Sequence, residues 1–112
     1  GANDASASVP AATYRANVQT IITKAKLSGD VILLSPIPGQ SAPVQSLMRQ
    51  YAAELATLAV SNNCGFYDMN ARFVDWATAN ANGYMADSLH PNDSGFQFIA
   101  NTLDPVLQFI SL

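Results

Sequence analysis

Val31-Ile32-Leu33-Leu34-Ser35-Pro36 is a continuous apolar run closed by a proline. Four adjacent aliphatic residues with no alternation do not suit a strand that keeps one face wet. They fit a strand buried on both faces, as in a parallel sheet covered by helices. Pro36 lends no N–H to a ladder, so the strand ends before it. Pro36, Pro38 and Gly39 then make an irregular loop.

The flanks of this run are helical. Upstream, residues 1–9 (GANDASASV) are small and polar and read as a loop, with Ser8 placed to cap a helix starting near Pro10. Tyr14, Val18, Ile21, Ile22 and Ala25 recur at helical spacing. Lys24 and Lys26 suit the end of that helix, and Gly29 suits its stop. Downstream, residues 43–60 carry Leu47, Tyr51, Leu55 and Leu58 on one face, and Asn62-Asn63 end the pattern. Cys64-Gly65-Phe66-Tyr67-Asp68 reads as a second short strand. A helix over 71–79, with Phe73, Val74 and Trp76 apolar, leads to the turn Asn80-Ala81-Asn82-Gly83. The last helix begins at 92–94 with Phe96, Ile99, Ala100 and Leu103 apolar. Pro105 predicts a break at Asp104, with Asp104-Pro105 capping a final turn.

Helices alternating with strands imply an α/β fold with right-handed crossovers. Two strands cannot form the interior of a parallel sheet alone, and an uncovered parallel edge invites association. The 31–35 strand needs a neighbour on each side, and the sequence offers one. The expectation is therefore the second half of a doubly wound domain, completed by another segment or chain.

The 112 residues suffice for one modest core. Charged residues make up 12% of the chain, about half the usual share. A net charge of −3 with no basic stripe argues against nucleic acid as a partner. No apolar run approaches the roughly 18 residues of a membrane span. The single cysteine, Cys64, excludes an internal disulfide and, in its apolar setting, reads as a buried, inert thiol. Few charges beside many Asn, Ser, Thr and Ala residues favour an extracellular setting.

The chemistry concentrates in Met85-Ala86-Asp87-Ser88-Leu89-His90-Pro91-Asn92-Asp93-Ser94-Gly95, which holds the only histidine. A carboxylate three residues before an imidazole can accept its Nδ1 proton, leaving Nε2 free as a base. On spacing alone, a surface or capping histidine explains the same residues. One histidine and scattered carboxylates are poor support for a metal site, and no EF-hand spacing surrounds Asp87 and Asp93. No cofactor is expected.

The chain also opens Gly1-Ala2-Asn3-Asp4 before a helix. Gly-x-Asn-Asp at one end and Asp87-Ser88-Leu89-His90-Pro91-Asn92, with Gly95, at the other resemble the third and fifth blocks of the SGNH (GDSL-type) hydrolases. The resemblance covers essentially the whole chain and implies a flavodoxin-like three-layer α/β/α fold. Residues 1–112 would be its C-terminal half, with about two strands and four helices. It implies ester hydrolysis by a Ser-His-Asp mechanism, of the carboxylesterase, lipase or carbohydrate acetylesterase kind. His90 would be the base, Asp87 its orienter, Asn3 an oxyanion donor worth about 3 kcal/mol of barrier, and Gly1 the residue that permits the oxyanion turn. Asn92 would cap the last helix, and Tyr84 could line the substrate site. An acetylated carbohydrate is a candidate substrate.

The family's Gly-Asp-Ser nucleophile block is absent. Ser35 lacks an elbow motif, Ser88 lies between the two triad residues, and Ser6 and Ser8 are loop or capping serines. The chain alone is thus expected to be inactive, with the serine supplied by the N-terminal half of the hydrolase as a partner chain or segment. The alternative is a non-catalytic structural or assembly module with a vestigial site.

Overall fold

The computed structural model describes residues 1–110, with side chains through residue 108. In chain order the elements are Ala2–Ser6 (α1), Ala11–Ala25 (α2), Ile32–Leu34 (β1), Ala42–Asn62 (α3), Gly65–Tyr67 (β2), Met69–Phe73 (α4), Trp76–Ala81 (α5) and Asp93–Ile110 (α6). The apolar run pairs in parallel with β2, in the register Ile32↔Gly65, Leu33↔Phe66 and Leu34↔Tyr67. With α3 as the crossover, this is the expected βαβ unit of an α/β fold.

The pleat sorts the strand residues between two helical layers. Leu33 and Phe66 turn toward Ala5, Tyr14, Met48, Tyr51 and Leu55, the core beneath α1, α2 and α3. Its centre is the Tyr14–Tyr51 stack, with ring centroids 3.9 Å apart and planes 13° from parallel. An Arg15–Glu54 ion pair at 2.6 Å clamps α2 to α3 at the rim. On the other face, Tyr67 joins Met69, Phe73, Phe98, Ile99 and Leu103. Phe73 and Phe98 meet edge to face at 5.0 Å, and the Arg72 guanidinium lies 4.7 Å from the Phe98 ring centroid.

The structure departs from the sequence reading at several places. The 1–9 loop holds a helical turn, α1, and no side chain caps α2. Ser8 takes a left-handed φ of 56° and Pro10 occupies the N-cap itself. Ile21, placed on the inner face of α2, is 64% exposed. Leu34 is 42% exposed, so β1 is not buried on both faces. Cys64 is only half-buried. The 71–79 helix is two helices, because Val74 adopts φ 70° and ψ −75° while Asp75 donates its N–H to the Phe73 carbonyl. That is a γ-turn of the rare positive-φ kind, and the Asp75 carboxylate restarts the helix by accepting from the Thr78 N–H at 2.7 Å. The final helix runs through Pro105 rather than breaking at Asp104. Its inner face is Gly95, Phe98, Ile99 and Leu103, while Phe96 and Ala100 face out. The carbonyl that Pro105 leaves unbonded belongs to exposed Asn101, where water can replace the lost partner.

Candidate active site

In open parallel sheets the useful crevice lies beyond the carboxyl ends of the strands. Here that edge is built from the loop after β1, from α1 and from the loop before α6. A buried polar network fixes the first of these. The Ser35 hydroxyl donates to Asp68 Oδ1 at 2.7 Å and accepts from the Asn70 N–H at 2.9 Å. The Asn70 side chain donates to the Pro36 carbonyl and accepts from Gln45, which in turn accepts from the Gly39 N–H. Asp68 also caps α4 through the Ala71 N–H at 3.0 Å. Ser35 is 4% exposed and both its hydrogen-bonding roles are filled, so it has no freedom to act as a nucleophile.

α1 sits against this loop. A Cβ at Gly1 would meet the Pro36 ring at 3.1 Å and the Tyr14 hydroxyl at 3.3 Å. A glycine leaves room for this close approach. The helix carries Asn3 in its first turn, exposed, with its carboxamide bonded to no described residue. Asp4 lies close enough to Tyr14 and Tyr51 to add to the effect of burial, which raises both phenol pKa values.

The loop of residues 83–92 is held at both ends. Asn92 donates its side-chain amide to the Gly83 carbonyl at 2.8 Å and accepts from the Gly95 N–H at 3.0 Å, capping α6 as expected. Met85 bridges Pro91, and the Ala86 N–H bonds the His90 carbonyl. Gly95 is obligatory for space: a Cβ there would lie 2.2 Å from the Tyr84 carbonyl oxygen and 2.7 Å from Pro91 Cβ. Two contacts tie the middle of the loop to the body. The Gln40 N–H donates to the Ser88 carbonyl at 2.9 Å, and the Trp76 indole donates to the Asp87 carbonyl at 3.0 Å.

Within that frame the Asp87 carboxylate does three things at once. Its Oδ1 accepts the backbone N–H groups of His90 and Leu89, each at 2.7 Å, and its Oδ2 lies 2.9 Å from His90 Nδ1. The backbone donors, then the imidazole, hold the Asp87 pKa down to about 2. An ionised carboxylate cannot donate, so Nδ1 carries the proton, which in the neutral ring leaves the lone pair on Nε2. Both side chains are open to solvent, His90 at 65% and Asp87 at 54%.

The structure thus joins Asp87 and His90 directly. Asn3 lies in α1 and Gly1 is its N-cap; α1 and the His90 loop contribute Ala2, Ala5 and Leu89 to one core cluster, and Ser6 lines a cleft with Ser88 and Leu89. No hydrogen bond joins Asn3 to His90. Tyr84 has its ring stacked on Phe98 at 4.7 Å and set edge-on to Phe73, a packing position in the cluster around Met69 and Phe73. Sequence reasoning did not find the Trp76 latch or the Gln45–Asn70 network. The available signal was polar atoms at positions that helical periodicity turns inward.

The chain belongs to the GDSL-like lipase/acylhydrolase family, whose sequence profile matches residues 1–98. Its fold is similar to that of a point variant of Axe2, described as an acetyl-xylooligosaccharide esterase from Geobacillus Stearmophilus. The TM-score is 0.64 at 22% identity, over 86% of this chain and 47% of that one. The chain therefore spans about half the length of this solved relative. A search of the curated protein sequences returns no match. Among the described residues no three His, Cys, Asp or Glu side chains gather as a metal-binding group, and no helix is long and apolar enough to cross a membrane.

Proposed function

We propose that this chain supplies the base, orienter and oxyanion donor of a serine esterase acting on a short acyl ester, such as an acetylated carbohydrate. The observation that carries the reading is the Asp87 Oδ2–His90 Nδ1 pair at 2.9 Å, with both side chains open to solvent. Nε2 takes the proton of a serine hydroxyl as its oxygen attacks the ester carbonyl. The Asn3 carboxamide donates to the resulting oxyanion. The imidazolium then protonates the departing alcohol, and a water activated at Nε2 releases the acid in the same way.

The serine comes from a second segment bearing a Gly-Asp-Ser block, the N-terminal half of the domain, which makes residues 1–112 the C-terminal half. Two features support its docking beside β1. Among the described residues β1 pairs with β2 alone. An apolar groove of about 260 Å³, lined by Ile32, Leu34, Phe66, Leu103, Val106 and Leu107, lies between the sheet and α6. Such an unfilled face is what a further strand and helix would cover.

The test is to combine the chain with a Gly-Asp-Ser-bearing N-terminal half and follow p-nitrophenyl acetate hydrolysis. Activity is expected only in the mixture, and His90→Ala or Asp87→Asn lowers it on the order of 10⁴-fold. Hydrolysis that survives His90→Ala removes the assignment. A folded, inactive complex points to the non-catalytic module instead.

A further inference from the structure

Gly39 and Gln40 press on the two residues that separate Asp87 from His90. The Gln40 N–H donates to the Ser88 carbonyl at 2.9 Å. A Cβ at Gly39 would meet Leu89 Cδ1 at 3.4 Å and, on the helix side, Val44 Cγ1 at 3.0 Å and Met48 Sδ at 3.5 Å. This backbone is wedged between α3 and the His90 loop. The Leu89 and His90 N–H groups in turn bond the Asp87 carboxylate. The position of residues 39–40 thus bears directly on how residues 87–90 close on one another.

A side chain from α3 fixes residues 39–40. Gly39 is buried, and its N–H is taken up by Gln45 Oε1 at 3.1 Å. Gln45 Nε2 donates to Asn70 Oδ1 at 3.1 Å, and Asn70 Nδ2 donates to the Pro36 carbonyl at 3.1 Å. The ends of this relay are backbone groups, a donor at Gly39 and an acceptor at Pro36, so both amides have one workable orientation. Asn70 is pinned through its own N–H to the Ser35 hydroxyl, which is bonded to Asp68. The relay therefore hangs from the residues that follow β1 and β2. An apolar side chain at position 45 would fill the same space without directing the Gly39 N–H.

We infer that Gln45 is a positioning residue for His90: it fixes Gly39, and residues 39–40 hold residues 88–89 so that Asp87 keeps the imidazole proton on Nδ1. The inference rests on the esterase reading for its consequence, because a base at Nε2 is what makes that tautomer matter. Gln45 bonds Gly39 and Asn70 rather than Asp87 or His90, so its influence runs through the loop backbone. It acts separately from Trp76, which bonds the Asp87 carbonyl.

The ¹⁵N shifts of the His90 ring report its tautomer without any substrate. In the 112-residue chain with the ring neutral, the expected form carries its proton on Nδ1. Gln45→Met fills the same space and removes both amide bonds. It is expected to raise the Nε2–H share about two- to tenfold, the range that loss of one neutral hydrogen bond covers. Gln19→Ala is the control for stability alone, because it breaks a reciprocal amide pair with Asn62, 2.9 and 2.8 Å, at the far end of α3. It should leave the His90 ring unchanged. An unmoved tautomer in folded Gln45→Met overturns the inference, as does an equal shift in Gln19→Ala. If Gln45→Met does not fold, Gly39→Ala decides in the same way, since its Cβ pushes on Val44 and lies against Leu89. With the N-terminal half added, Gln45→Met is expected to lower kcat for p-nitrophenyl acetate about two- to tenfold with KM unchanged. Hydrolysis through His90 that is indifferent to Gln45 removes the inference and leaves the esterase reading standing. A tautomer that follows Gln45 in a mixture without hydrolysis removes the esterase and keeps Gln45 as the residue that orients the imidazole.

Discussion

The indole N–H of Trp76 donates to the backbone carbonyl of Asp87 at 3.0 Å, so the residue that orients the histidine is itself held from a neighbouring helix. α5 owes its position to the γ-turn at Val74 and to the Asp75 cap, and both lie within two residues of Trp76. Backbone strain on one side of the latch and the His90-bonded carboxylate on the other form one mechanical unit.

Trp76→Phe keeps the aromatic packing and removes only the donor. One hydrogen bond contributes about 0.5–1.5 kcal/mol net, so a stability loss in that range is expected by urea denaturation. The diagnostic result is local: amide exchange at Asp87 and Ser88 should quicken while exchange in α3 stays as it was. Equal quickening throughout would show that Trp76 supports the whole domain rather than the loop.

Gly95 tests a steric claim. A Cβ at 2.2 Å from the Tyr84 carbonyl meets backbone that cannot rotate away, so Gly95→Ala is expected to cost about 1–3 kcal/mol and to displace the 83–92 loop. Gly29→Ala is the control, since a Cβ there meets nothing within 4 Å. Its effect is expected to be neutral or slightly stabilising, by up to about 1 kcal/mol, through the unfolded chain. A neutral Gly95→Ala in chemical denaturation would remove the packing argument.

Those two loop devices show how unevenly the fold was legible. The β1–α3–β2 unit could be read because the 31–36 run is continuously apolar up to a proline, and because the Tyr51-Leu55-Leu58 face of α3 follows the helical period and is buried by it. The Asp87–His90 pair could be read because three residues in a tight loop keep two side chains within reach. The Val74 turn could not, because a β-branched residue at positive φ contradicts its own preference and is imposed by its surroundings. Pro105 misled for a related reason. A proline ends a helix where the lost bond matters, and here the orphaned carbonyl faces water. Phe98 displaced Phe96 from the inner face because Gly95, rather than an apolar residue, sets the rotation of α6 against Tyr84 and Pro91.

The Asp87 pKa gives a pH signature with a definite sign. A carboxylate whose folded pKa is depressed contributes stability above its ordinary value of 3.8. That contribution is lost as pH falls from there through about 2. A carboxyl ¹³C titration should therefore place the Asp87 midpoint near 2, with the His90 and Leu89 amides shifting over the same interval. Asp87→Asn should abolish that amide transition. A midpoint near 3.8 would mean that the three hydrogen bonds do not persist in solution.

Ser35 distinguishes structural from chemical use of a serine at the carboxyl edge. Ser35→Ala leaves the Asn70 N–H buried without an acceptor and frees Asp68 Oδ1 from one of its two donors. Removing one partner from a buried pair costs about 1–3 kcal/mol, more than the pair contributed, because the remaining group keeps its desolvation penalty. Thermal or urea unfolding should show a loss of that size. The loosening should reach Pro36 and Gly39, which hang from the same network through Asn70 and Gln45. In the assembly proposed above, turnover by folded Ser35→Ala should fall far less than the loss at His90, since the hydroxyl is committed to Asp68 and Asn70. A loss comparable to that of His90→Ala would make Ser35 the nucleophile and remove the need for a serine from a second segment.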